Sequence, residues 1–166
     1  LKAIANFSLY GVPALVGILV FTLVQYYFGD VNLFYEKNLR ASLFTGFLTM
    51  GGFLLSLKTG ILIKIKESLY DNKQYIEKVE ELRTINPKLT QYGPLKRLSR
   101  VLSFSVFFCL LSASTQFTVG LLMNSWSTAF CLAIAAFSMS MLIASFLVIQ
   151  LNLSKWFQFL EKGSDS

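Results

Sequence analysis

Few side chains in this 166-residue chain are able to do chemistry, and their placement restricts that chemistry to binding. Histidine is absent, which removes the commonest metal ligand and the usual proton shuttle near neutral pH. Cys109 and Cys131 form no Cys-x-x-Cys pair, so quinone-linked thiol oxidation lacks its motif. The carboxylates Glu67, Asp71, Glu77, Glu80 and Glu81 are interleaved with lysines, the pattern of a solvated helix face rather than of an acid–base pair. There is no Gly-rich phosphate loop, and no acid sits in the middle of an apolar run to carry protons. No catalytic residue, metal site or cofactor is therefore expected. Two resources remain. One is a run of hydroxyls and an amide, Ser103, Ser105, Ser112, Ser114, Thr115, Gln116 and Thr118, inside an apolar stretch. The other is a group of cations between Lys58 and Arg100.

The elements that must position these groups belong in lipid. Hydrophobic residues make up 54% of the chain and charged residues only 14%, against about 25% charged in soluble domains. A water-soluble fold of this size could not hide so much apolar surface. The pattern predicts an all-α integral membrane four-helix bundle with spans at residues 11–28, 41–63, 101–123 and 128–151. The first run ends in Tyr26-Tyr27-Phe28 without a small-residue cleavage site, so it reads as a span and not as a signal peptide. Pro13 falls in its first turn, where a missing N–H costs nothing, and Gly17 leaves room for a neighbouring helix. Residues 29–40 read as a short loop with Phe34 and Tyr35 on the headgroups. If spans three and four run antiparallel, Cys109 and Cys131 differ in depth by more than about 10 Å. A disulfide needs Cα atoms within about 7 Å, so both thiols are expected as free packing residues.

Small residues recur every fourth position at Gly52, Ser56 and Gly60, and again at Ala136, Ser140 and Ala144. Such ridges let helix backbones approach closely in lipid. One can close the bundle and the other can face a second subunit, which predicts a homo-oligomer; Gly is also simply common in membrane helices. Gln116 is expected to make an interhelical hydrogen bond rather than to serve permeation. The alternative is an oligomeric pore lined by Ser105, Ser112 and Gln116, which could share one stripe at intervals of about 3.5 residues. The turn 124–127 is too short for anything but an antiparallel hairpin, with Ser125 or Ser127 able to cap the next helix.

Between spans two and three, residues 62–98 form a solvated helical hairpin, an arm. Span two passes Lys58 without a stop signal and continues into an amphipathic segment, 61–82, with apolar residues at Leu62, Ile65, Leu69, Ile76 and Val79. Asn72 occupies the skipped position. This heptad-like stripe calls for another helix, which could be the returning segment, the same arm of another subunit, or a different protein; the alternative is a helix lying against its own membrane face. Lys64, Lys66, Leu69, Lys73, Ile76 and Val79 are the candidate partner-binding residues. Asn86-Pro87 ends the helix, and Gly93-Pro94 is a second break. Lys96, Arg97 and Arg100 then present cations suited to anionic headgroups while Leu95 and Leu98 point the other way.

Thirteen of the fifteen Lys and Arg residues lie on the side that holds both termini and the arm; only Lys37 and Arg40 lie opposite. The positive-inside bias makes both termini and the arm cytoplasmic, in a multi-pass inner-membrane protein. In this setting the net charge of +6 concerns orientation, and no direct nucleic-acid contact is expected. The segment from Ser56 to Asp71, SLKTGILIKIKESLYD, set between spans two and three of a small four-span protein, resembles the membrane subunits of bacterial anti-phage operons, those of the Kiwa type. The resemblance implies an inner-membrane oligomer that detects phage attack and works with a cytoplasmic DNA-binding or effector protein. The residues themselves support an oligomeric membrane platform, in contact with membrane lipids, whose arms dock a cytoplasmic protein partner in response to envelope disturbance.

Overall fold

The computed structural model describes residues 2–27, 31–67, 71, 73–85, 90–122 and 124–164. Leu69, Asn72, the Asn86-Pro87 break and the expected span ends at Phe28 and Met123 lie outside the described residues. The described elements are helical: α1 (Lys2–Tyr27), α2 (Val31–Phe34), a π segment (Tyr35–Leu39), α3 (Arg40–Ile65), α4 (Lys73–Ile85), α5 (Gly93–Phe117), a 3-10 turn (Val119–Leu122) and α6 (Ser125–Ser164). Three stretches are long and apolar enough to cross a membrane: Val31–Ile65, Leu95–Leu122 and Ser125–Leu151. Tyr10–Tyr26 is a shorter apolar helix.

Several boundaries depart from the expected ones. Helix α1 starts at Lys2, so Pro13 is inside the helix and buried rather than in a first turn. Proline there removes one backbone bond, which membrane helices tolerate when neighbours compensate. The expected loop 29–40 is helical from Val31 onward and joins α3 without a break. Together these 35 residues span roughly 52 Å, well beyond the roughly 30 Å hydrocarbon core. Helix α6 begins at Ser125, so Trp126 and Ser127 belong to its first turn, and it continues to Ser164 instead of ending near 151. Helix α5 opens at the Gly93-Pro94 step with the proline in its first turn, and it carries residues 95–100 and span three as one rod.

The helices pack as a row rather than a closed ring: α1 lies on α6, α6 on α5, and α5 on α3. Neighbours run antiparallel. On the α5–α6 seam Ser105 bonds Met141, Ser138 bonds Phe108, and Gln116 bonds Cys131, a constant antiparallel register. On the α3–α5 seam the Phe44 and Phe117 rings stand 5.6 Å apart. Further along, a Cβ at Gly51 would lie 3.5 Å from Cβ of Cys109. Helix α5 is accordingly the most enclosed, and Leu98, Leu102, Val106, Cys109 and Ala113 supply much of the core. Close approach uses Gly17, whose added Cβ would meet the Ala133 carbonyl at 3.3 Å, and Gly51, whose added Cβ would meet Leu110 at 3.2 Å. The outward faces carry Leu15, Ile18, Phe53, Phe107, Phe146 and Leu147, all exposed, as lipid-facing residues are.

Candidate functional site

Polar groups concentrate at two levels, one near each end of α3 and α5. At the first, Tyr35 is buried and its hydroxyl donates to Oε1 of Gln116 across 2.5 Å. The amide of Gln116 donates in turn to the Cys131 carbonyl at 3.0 Å, and the Cys131 thiol lies 3.5 Å from the Thr115 carbonyl. Three helices are thereby tied through one amide. Arg40 reaches the Gly120 carbonyl at 3.4 Å, and the Ser127 hydroxyl donates to the Val119 carbonyl across the turn. A Cβ at Gly120 would stand 2.6 Å from the Tyr35 hydroxyl, so a larger residue there would have to displace that ring. The π segment starting at Tyr35 inserts an extra residue into the helix, and such insertions recur at functional sites. Tyr35 is therefore not on the headgroups as expected, whereas its neighbour Phe34 is exposed.

This knot accounts for Gln116 in the polar stripe of span three. Gln116 makes the interhelical bonds described, Ser105 donates to Met141 at 3.4 Å, and Ser112 is sealed with its hydroxyl unpartnered among the described residues. All three are buried inside the chain. The stripe on which a pore reading rests is thus enclosed by this chain's own helices. Both cysteines are free and buried.

The second level is the root of the arm. The Asp71 carboxylate pairs with the Lys66 ammonium at 3.0 Å and accepts the Tyr92 hydroxyl at 2.9 Å, joining the end of α3 to the start of α5. Its backbone N–H closes on the Lys66 carbonyl at 3.0 Å. The Lys66 ammonium, then the Tyr92 hydroxyl, hold the Asp71 carboxyl below its usual range. The same carboxylate raises both Lys66 and Tyr92. Asp71 is exposed to solvent, as expected, and in addition bridges the end of α3 to the start of α5 as a clasp. It also breaks the continuous amphipathic helix expected over 61–82, because α3 ends at Ile65 and α4 starts at Lys73. Tyr75 on α4 donates to the Gln91 carbonyl at 3.4 Å, and burial pushes its hydroxyl up.

Of the residues expected to bind a partner, Lys64, Lys66 and Lys73 are exposed, Ile76 is half-buried and Val79 is buried. Val79 is therefore corrected: it is buried within the chain and not open to a partner. Leu69 lies outside the described residues. Lys96, Arg97 and Arg100 are exposed along α5. The ridge Gly52, Ser56 and Gly60 does not pack within the chain; all three are exposed, and a Cβ at Gly52 or Gly60 would meet nothing within 4 Å. Gly51, one residue earlier, makes that approach instead. Ala136, Ser140 and Ala144 are half-buried on α6. Sequence reasoning missed Tyr35, Gly120, Asp71 and Tyr92. The proline and glycine beside Tyr92 marked the place but not the partner. No protein family, curated protein or solved structure matches this chain.

Proposed function

We propose that this chain is an oligomeric inner-membrane platform, crossing four times with both termini and the arm inside, that senses envelope disturbance and docks a cytoplasmic protein on the arm. The Kiwa-type resemblance adds that the disturbance is phage attack. One observation carries the reading: the helical stretch Val31–Ile65 runs from the Tyr35–Gln116 knot to the residue before Lys66, where the Lys66–Asp71–Tyr92 clasp begins. A displacement at the outer knot has a stiff lever to the root of the arm, and α5 supplies a second. The docking face is the exposed side of the arm around Lys66 and Lys73, with Lys64 at its membrane edge.

The test is co-purification of the full chain in mild detergent from its native host. A stoichiometric soluble protein should accompany it, and the Lys73→Glu variant, which leaves the Lys66–Asp71 clasp intact, should lose that protein while inserting normally. Retention of the partner at unchanged stoichiometry by the variant would place docking elsewhere and defeat the reading.

A further inference from the structure

We propose that the outer face of α3 holds one anionic phospholipid of the inner leaflet, its acyl chain in a groove that ends at Lys64. The groove runs from Phe53 to Ile65 on α3, and its smallest residues are Ser56 and Gly60. Its lining is apolar apart from Ser56 and Lys64. Among the described residues nothing fills it at Gly60, where even an added Cβ would meet no atom within 4 Å.

Depth identifies the occupant. The α3–α5 register is set where Gly51 meets Cys109, and thirteen residues further along each antiparallel helix it brings Lys64 level with Lys96. The same register puts Gly60 near the level of Arg100, where the uncharged run of α5 begins. Gly60 therefore lies near the inner edge of the hydrocarbon, about 30 Å of helix from Arg40 at the outer edge. Lys64 is one turn beyond, about 6 Å, within the headgroup layer of roughly 5–7 Å per leaflet. An occupant must be apolar above Gly60 and negatively charged at Lys64, which describes a phospholipid lying along the helix.

Charge makes the choice of headgroup. Lys64, Lys96, Arg97 and Arg100 are exposed, and none of them forms an ion pair among the described residues. Four exposed cations within one helical turn of depth, against the one exposed carboxylate of Glu67 beside them, favour a phosphate that keeps a net negative charge over a zwitterionic headgroup. A second copy packed symmetrically on this groove would set its own Lys64 beside this one, against like charge.

The experiment uses the full chain purified in a neutral detergent and analysed by native mass spectrometry. It is titrated with phosphatidylglycerol or with phosphatidylcholine of identical acyl chains. The expected result is a saturable phosphatidylglycerol adduct with much weaker phosphatidylcholine retention. Lys64→Gln should weaken the adduct about fivefold, the effect of one cation near an anionic surface. Gly60→Leu, which fills the groove without touching the fold, should weaken it similarly, and Lys37→Gln on the opposite side should leave it unchanged. Equal retention of both lipids, or unaltered adducts in Lys64→Gln and Gly60→Leu, would overturn the proposal. So would a Gly60→Leu protein that keeps its lipid but drops to a smaller oligomer, since a second copy would then be the occupant.

Discussion

The Tyr35 hydroxyl donates to Oε1 of Gln116 at 2.5 Å, joining residues eighty-one positions apart at the end of the bundle that carries Arg40. The bond lies in an apolar surround, so losing one partner leaves the other unsatisfied, at about 1–3 kcal/mol. Tyr35→Phe should therefore lower the thermal midpoint in detergent. Gln116→Leu removes both of the amide's bonds and should do so by more. The double variant should show a coupling of about 0.6–1.7 kcal/mol, the range of hydrogen bonds between membrane helices. Additive effects would mean that the two groups do not sense each other.

Gly120 tests the same knot from the other side. An added Cβ would stand 2.6 Å from the Tyr35 hydroxyl and 3.4 Å from Cδ of Arg40. Gly120→Ala should cost about 1–3 kcal/mol, as overpacking does. Part of that cost should disappear in the Tyr35→Phe background, where the hydroxyl is gone. A thermal shift that is independent of Tyr35 would show that Gly120 is needed for its backbone alone.

The small ridge of α3 makes the opposite prediction. A Cβ at Gly52 or Gly60 would meet nothing within 4 Å among the described residues, so Gly→Ala at either site should raise monomer stability by about 0.5–1 kcal/mol through backbone entropy. If Gly52 faces a second subunit, Gly52→Leu should reduce the oligomer mass measured in nanodiscs while leaving the thermal midpoint of the monomer intact. Constant mass in that variant would remove Gly52 from the assembly surface.

These contrasts show what could be read from residue order. The long apolar runs between Arg40 and Lys58, and after Arg100, marked the helices of three membrane-long stretches, because charge is excluded from lipid whatever the packing. The interhelical role of Gln116 was legible for the same reason: an amide in that setting needs a partner. The identity of the partner was not. Asn32, Glu36, Lys37 and Asn38 give residues 31–39 the composition of a loop, and the helix there is held by a tertiary bond through Tyr35. Gly51 and Gly52 are equivalent by type, and only the rotation of α3 against α5 decides which one packs. Val79 fell on the expected stripe, but it is buried within the chain, which its position in the sequence did not reveal.

The clasp at Asp71 has a pH dependence with a definite sign. Its folded-state carboxyl is held low by Lys66 and Tyr92, so its contribution is complete above the unfolded value, about 3.9, and is lost as pH falls through the depressed one. Lys66 and Tyr92 are raised, so their contribution is present below their ordinary values, near 10, and is lost as pH climbs through the raised ones. The clasp should therefore hold from about pH 4 to about pH 10. Amide exchange across α4 at pH 7 should be faster in Asp71→Asn than in the native chain. The native chain should reach the same rate, corrected for intrinsic exchange, only in acid below about pH 4. Matching α4 exchange in Asp71→Asn and the native chain at pH 7 would assign α4's order to Val79 and Tyr75 packing instead.

Orientation can be decided with the chain's own silent thiols as background. Cys109 and Cys131 are fully buried, so an impermeant maleimide should not reach either, and no cysteine-free parent is needed. New cysteines are best placed at uncharged positions, because removing a Lys would itself bias the topology. Asn38→Cys lies on the exposed side of the π segment, and Thr84→Cys on the exposed side of α4. With thirteen of fifteen cations on the arm side, Asn38→Cys should label in intact cells and Thr84→Cys only after the inner membrane is opened. Labelling of Thr84→Cys from outside would invert the molecule. The Tyr35 knot would then face the cytoplasm and the arm the exterior, and a cytoplasmic partner could no longer reach Lys66 and Lys73.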